Sequence, residues 1–571
     1  MALQGTNGGR QKMTHFDFVT DVVVVGSGSA ALTSALAAKE SGKDVLVLES
    51  TKLVGGSSSM SGGGLWIPNN PIMKEAGVGD SYEAARTYLD DIIGDVGPAS
   101  SSERRDAFLR EGPKMVSWLK GLGFQFIYGR GYSDYYPERP GGSVEGRGVE
   151  GGIFNLRKLG PWAGKLRMSV PLPMHTTEAK KIPVAFRTPS AFLTMVNVMG
   201  LRMIGGRLLG KRLAGLGPSL VGQLLHLVLA RSIPVWLQSP MIELVETDGA
   251  ITGVVVQKDG KRMRIGAKQA VILAAGGFSH NAEMRQKYHP HPITTEWTSA
   301  NPGDLGGAIR AGMAIGAATA LMDDAWWGPS FIDKDGVAMF LLWERSLPFG
   351  FIVDSSGERF MNESASYVDC GHWQYERNKT VPAIPAYLIL DSRHRRYYLF
   401  GAMMPGITPK AAFESGFMVK ANSLEALAHA CGIDTAGLLR TAQRFNGFAK
   451  SGKDEDFHRG DSAYDRLYSD PRVKPNPNLG TVEKPPFYAV KVWPGDLGTK
   501  GGLLTDEYAR VLREDGSVIE GLYAAGNSSA SVMGHTYPGP GSTIGPAMTF
   551  GFIAGRHAAT RDRSLKDVRT G

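Results

Sequence analysis

The chain has 571 residues, a net charge of +8 and two cysteines, Cys370 and Cys431. That length predicts two or more domains at about 150 residues each, and two cysteines exclude a disulfide framework or a cysteine metal cluster. Glycine accounts for 74 residues, nearly twice the usual ~7%, and it falls in short runs that suit tight turns around a ligand.

In chain order, the opening "MALQGTNGGRQKMTHFDF" is polar with no apolar core. No signal peptide is expected there, and residues 1–17 read as a frayed tail. "DVVVVGSGSAALTSALAAKESGKDVLVLES" follows. Its four valines predict a buried parallel strand, then a glycine turn, a helix of small residues and a second strand. Gly26-x-Gly28-x-x-Ala31 lies between strand and helix, and Glu49 ends the second strand. This is a dinucleotide-binding pattern. Gly26 makes the turn, Gly28 admits a pyrophosphate, the helix N-terminus offers N–H groups, and Glu49 accepts from ribose hydroxyls.

"GGSSSMSGGGLWIPNN", residues 55–70, predicts a loop wrapped along a polar ligand. From Ala179 to Ile242 there is no acidic residue, while Lys180, Lys181, Arg187, Arg202, Arg207, Lys211, Arg212 and Arg231 all fall inside. The window is basic and aliphatic rather than basic and aromatic, which disfavours nucleic acid. It reads either as a surface-lying segment near anionic lipid or as a solvated basic helix over a core. "LVGQLLHLVLARSIPVWL" after it predicts a core helix leading into a strand. No apolar run is long enough to span a bilayer. "AVILAAGGFSHN" and, near the C-terminus, "GLYAAGN" are further strands ending in glycine turns. A nucleotide-binding motif at the start and its return at the end predict a Rossmann-like domain, discontinuous in sequence, with an inserted smaller domain: α/β overall with an α+β insert.

With these residues in view, GSGSAA, Glu49, "GGSSSMSGGG", "VILAAGGF", "TKGGLLTD" and "GLYAAGN" resemble the flavoprotein superfamily of fumarate reductase and succinate dehydrogenase. More narrowly, "SGGGLWIPNN", "GYSDYYPE", "PITTEW", "DDAWWGP", "RFMNES" and "GHTYPGPGSTIGPAMTFG" resemble the 3-ketosteroid Δ1-dehydrogenases of steroid-degrading bacteria. The resemblance covers about residues 18–556. It implies non-covalent FAD, a Rossmann-like domain in two parts (18–323 and 499–571) and a catalytic domain over 324–498. It implies 1,2-desaturation of ring A of a 3-ketosteroid, with hydride passing from C1 to flavin N5. FAD contacts are expected from Gly26, Gly28, Ala31, Glu49, Gly55, Gly56, Ser57, Ser61, Gly62, Gly63, Gly276, Gly277, Asp304, Gly526, Asn527, Ser542 and Ile544. The helix beginning at "STIGPAM" is expected to place its positive end near the flavin.

The same resemblance assigns the 3-oxo group to Tyr537 and the N–H of Gly541, as an oxyanion hole, and the C2 proton to Tyr367. A free tyrosine with a pKa near 10 is a poor base at neutral pH unless its surroundings lower that value. A second tyrosine assists; Tyr135 is chosen, with Tyr136 and Tyr132 as rivals. Each of these tyrosines has a plain packing role as its alternative. Trp326 and Trp327 read as steroid-pocket walls or as core. His535, two residues before Tyr537, reads as packing and is left out of the site. No metal site is expected, since no His/Cys/carboxylate set has ligand spacing. The alternative activities are a 3-ketosteroid Δ4-(5α)-dehydrogenase and a membrane-associated flavoprotein without steroid chemistry. The electron acceptor, a quinone or another, stays open. The expected location is the cytoplasm, with residues 192–217 lying on the inner membrane surface.

Overall fold

The structure, a computed structural model, describes residues 15–168 and 172–560. It is mixed α/β, as expected. β1 (Phe18–Val25) is followed by α1 (Ser29–Glu40) and β2 (Val45–Leu48). The four consecutive valines of β1, Val22 to Val25, are buried on both faces because β1 lies inside a sheet, parallel to its neighbours on each side. Later come α2 (Leu216–Ala230), β3 (Val235–Trp236), β4 (Met241–Thr247), β5 (Ala250–Lys258) and β6 (Lys261–Leu273).

The next block comprises β7 (Ala325–Ile332), β8 (Ala338–Phe340), β9 (Gly350–Val353), α3 (Tyr367–Asn378), β10 (Ala386–Leu390), β11 (Met418–Ala421) and β12 (Phe487–Thr499). The chain ends in β13 (Arg510–Leu512), β14 (Val518–Ala524) and α4 (Ile544–Thr560). Among the described residues, an eight-stranded sheet runs β13-β14-β5-β6-β1-β2-β3, with β4 on β5. The C-terminal β14 pairs in parallel with β6, Val271 opposite Leu522. A six-stranded sheet runs β8-β7-β12-β10-β9, with β11 on β12.

Two contacts place the site. α4 packs along α1, and its glycines allow the close approach. A Cβ on Gly551 would stand 2.5 Å from the Ala30 carbonyl oxygen, and one on Gly555 2.3 Å from that of Ser34. Residues 1–14 of the expected tail lie outside the described residues. Phe16 and Asp17 do not fray. Phe16 is buried beside Val245 and Val255, and the Asp17 amide donates to the Arg264 carbonyl at 2.9 Å.

The basic apolar window divides in two. α2 is buried along nearly its whole length. Residues 189–208, by contrast, form a continuous helical run whose middle is a π-helix. Leu193 (66% exposed), Leu201 (70%) and Leu208 (83%) project from it, with Phe192, Val196, Ile204 and Leu209 also exposed.

Candidate active site

Gly26 sits at φ +111, and a Cβ there would stand 2.2 Å from the Ala274 carbonyl oxygen, so the β1 turn requires glycine. Gly28 is the N-cap of α1 and brings no side chain to cap it. The first turn of α1 contains no acidic residue. The Ser29 amide donates to the Ser58 hydroxyl at 3.1 Å, and the rest of this helix N-terminus carries no acidic side chain that would repel an anion. Ala31 is buried inside α1. Glu49 is buried and accepts from the Ser27 hydroxyl and the Thr51 amide.

Gly55 is left-handed and opens a 3-10 turn, Gly56–Met60. Ser57 in that turn donates to Asp304 at 3.0 Å and accepts from the Asn301 amide at 3.0 Å. Asp304 is buried, and that burial pushes its carboxyl up to about 7. Gly276 lies against it, where a Cβ would meet the carboxylate at 2.5 Å; a Cβ on Gly277 would meet the Thr499 hydroxyl oxygen at 2.1 Å. The Asn301 side-chain oxygen is buried without a partner, an acceptor open to a ligand hydroxyl. Gly526 is left-handed, and Asn527 accepts from the Trp326 indole at 3.3 Å.

Glycine turns, a helix terminus free of acidic side chains and an orphaned acceptor fit a dinucleotide. Other expected contacts are taken up by the loops themselves. Ser61 donates to the Ser58 carbonyl at 2.7 Å, Gly62 is exposed, and a Cβ on Gly63 would strike Leu216. Ser542 bonds within its own turn, to Gly539. Ile544 is the first residue of α4.

The structure brings Tyr135, Tyr367 and Tyr537 together. Ring centroids are 4.8 Å apart for Tyr367 and Tyr537, 5.1 Å for Tyr135 and Tyr537, and 5.5 Å for Tyr135 and Tyr367. All three are buried. They come from a loop, the first turn of α3 and the proline-glycine loop before α4. Tyr136 turns elsewhere and donates to Asp369 at 3.0 Å, while Tyr132 pairs with the Tyr468 hydroxyl. Tyr464 stacks on Tyr135 at 4.1 Å and Phe340 packs edge-on to Tyr367 at 5.0 Å. Neither carries a sequence motif, and both were missed.

Burial raises the Tyr537 phenol, opposed by bonds from Tyr367, Thr543 and the amides of Gly541 and Thr543. The Gly541 N–H therefore lies close to the Tyr537 hydroxyl. Burial also pushes Tyr367 well above the ordinary phenol value; Tyr537 adds to the rise and a bond from Tyr135 opposes it. Low-dielectric surroundings disfavour the ionised phenol, so the condition for an easy base at neutral pH is not met here. Trp326 meets Tyr537 edge-on at 5.4 Å, whereas Trp327 packs into the core against Tyr375 and His289. His535 is not alone: it and His372 both bond Asp324. Three distant stretches contribute that group, so sequence spacing could not reveal it.

The family described as FAD binding domain matches residues 21–544. A 3-oxosteroid 1-dehydrogenase of Mycobacterium tuberculosis is 47% identical over 94% of this chain and 98% of its own length. One of Mycolicibacterium smegmatis is 47% identical over 96% and 98%. The crystal structure of 3-ketosteroid delta1-dehydrogenase from Sterolibacterium denitrificans, in complex with 1,4-androstadiene-3,17-dione, is 39% identical. It superposes with a TM-score of 0.90, covering 95% of this chain and 99% of that one.

Proposed function

The chain belongs to the FAD-binding flavoproteins and, within them, to the 3-oxosteroid 1-dehydrogenases, and from that premise we propose how its own residues divide the work. The reaction is FAD-dependent 1,2-desaturation of a 3-ketosteroid. One observation carries the assignment of roles: three buried tyrosines from separate segments meet beside the Gly541 amide.

The Tyr537 hydroxyl and Gly541 N–H polarise the 3-oxo group, which acidifies the C2–H. Two preorganised donors aimed at a developing enolate oxygen contribute ~3–4 kcal/mol each. Tyr367 takes the C2 proton at its phenol oxygen. Tyr135 donates to that oxygen and eases the charge there. Phe340 and Trp326 supply apolar wall, which holds a ring system and excludes water. FAD, when bound, supplies the acceptor for the C1 hydride. Gly26, Gly28, the Gly55–Ser57 turn, Asn301, Asp304, Gly276 and Gly526 would hold it. We assign residues 324–498, which supply Tyr367, Tyr464 and Phe340, to the substrate side.

Anaerobic mixing of holoprotein with a 5α-reduced 3-ketosteroid tests the reading. Flavin bleaching with a 1-ene product is expected; a 4-ene product would assign the Δ4-(5α) activity, and no bleaching would remove steroid chemistry altogether.

A second observation favours a membrane surface as partner. The exposed leucines of 189–208 lie in a stretch with no acidic residue from 179 to 242. Apolar side chains flanked by cations match an anionic bilayer surface, from which a steroid would partition into the site. No described helix is long and apolar enough to cross a membrane. Co-sedimentation with phosphatidylglycerol vesicles should be lost in Leu193→Glu/Leu201→Glu/Leu208→Glu. Unchanged binding by that variant rules this surface out.

A further inference from the structure

Asp324 stands immediately before β7 and is buried. Its two oxygens reach different elements. Oδ1 lies 2.9 Å from Nε2 of His372, and Oδ2 lies 2.8 Å from Nδ1 of His535. His372 is on α3, the helix whose first residue is Tyr367. His535 precedes Tyr537 by two residues in the proline-glycine loop. One carboxylate therefore joins the element bearing the proposed base to the element bearing the proposed carbonyl donor. We infer that Asp324 is a positioning residue that, through His372 and His535, fixes Tyr367 relative to Tyr537.

The charges support a clamp. Asp, His and His are also the composition of a cation site. The buried Lys500 ammonium, however, lies 3.2 Å from Oδ2 and already balances the carboxylate. Against the cost of burial, Lys500, His372 and His535 hold Asp324 well below the usual carboxylate range, so it stays charged. The bond to Asp324 raises the His535 imidazole, against partial burial and the Lys500 charge, with Asp323 adding to the rise. Asp369, one turn before His372 on α3, also favours the charged form of Lys500. His535 and His372 are partly exposed, so solvent protons reach the clamp while the tyrosines stay buried. A doubly tied frame matters because misplacing reacting groups by about 1 Å can cost ~10²-fold in rate.

The inference rests on reading Tyr367 and Tyr537 as base and donor. The test measures flavin reduction by a 3-ketosteroid in a stopped-flow instrument, on holoenzyme with verified FAD content. His372→Ala and His535→Ala should each slow the limiting rate about tenfold, with steroid affinity changed less than about twofold. Gln at 372 mimics Nε2 and Asn at 535 mimics Nδ1, so His372→Gln and His535→Asn should restore most of the rate. The double Ala variant should be no slower than the worse single, because both act through one carboxylate. His535 is held protonated below its raised value, so the ratio of wild-type to His535→Asn rate should fall as pH climbs through that value. Unchanged rates in the single Ala variants, absent rescue, or fully additive losses overturn the clamp. Near-normal turnover in Tyr367→Phe and Tyr537→Phe would instead overturn the reading beneath it, whatever the histidines do.

Discussion

The ring of Tyr367 lies 4.8 Å from that of Tyr537, centroid to centroid, with the two ring planes at 56° and both side chains buried. A proton acceptor and a carbonyl donor at that spacing can act on one ketone together, one at the α-carbon and the other at the oxygen two bonds away.

Removing either hydroxyl should therefore stop chemistry rather than binding. Tyr367→Phe is expected to lower the limiting rate of flavin reduction by ~10²–10⁴-fold, and Tyr537→Phe by ~10²–10³-fold. FAD content and thermal stability should stay near wild type. Stopped-flow reduction with a 3-ketosteroid checks both; turnover within threefold of wild type in either variant removes that residue from the chemistry.

The pH dependence follows from the raised Tyr367. A phenol pushed above its ordinary value by burial is protonated at neutral pH. The fraction able to accept a proton then rises ~tenfold per pH unit below that value. The reduction rate should climb across pH 6–9 without a plateau. Tyr135→Phe removes the bond that opposes the rise, so it should be slower at each pH with the same slope. A flat wild-type profile would show that Tyr367 is not the base.

Asp304 gives a stability test. Its folded value of about 7 lies above the ordinary 3.8. The protonated form is thus favoured in the folded chain. That contribution is fully present below about pH 4 and is lost as pH rises toward 7. The apoprotein should lose melting temperature over that interval, and Asp304→Asn should flatten the loss while weakening FAD retention. Parallel melting curves for the two proteins would show that Asp304 contributes no such term.

Gly541 is at φ +96, and a Cβ there would stand 2.3 Å from the Gly64 carbonyl oxygen. Gly541→Ala must displace the loop, at a strain of ~1–3 kcal/mol, and move the amide that lies close to the Tyr537 hydroxyl. Turnover should fall at least ~10²-fold while the protein still folds. An active Gly541→Ala variant would mean that the amide is not a donor.

The dinucleotide fingerprint was legible because it is local: strand, turn, helix and acid fall within one βαβ unit, and each residue type has its own backbone reason. The tyrosines were reached by resemblance, and the choice among Tyr132, Tyr135 and Tyr136 had no local signal. Neighbouring residues leave the chain in different directions, and only packing shows that Tyr135 meets Tyr367 while Tyr136 meets Asp369. Tyr464, His372 and Asp324 were illegible for a related reason. Their partners lie far along the chain, and a pattern reader sees only single polar residues. The raised Tyr367 was illegible too, because residue type says nothing about the dielectric around it.

β14 closes on β6 with nearly half the chain between them, Leu522 beside Val271. During synthesis at ~10 residues per second, the edge of β6 waits about 25 s for its partner. Until then the nascent chain presents an unpaired apolar strand and only half a cofactor groove. Tyr537, Gly541 and α4 are translated later still. The enzyme cannot grip its cofactor or meet its substrate until almost the last residue has left the ribosome. Truncation before β14 would leave a long polypeptide with an unpaired apolar edge and no activity to preserve.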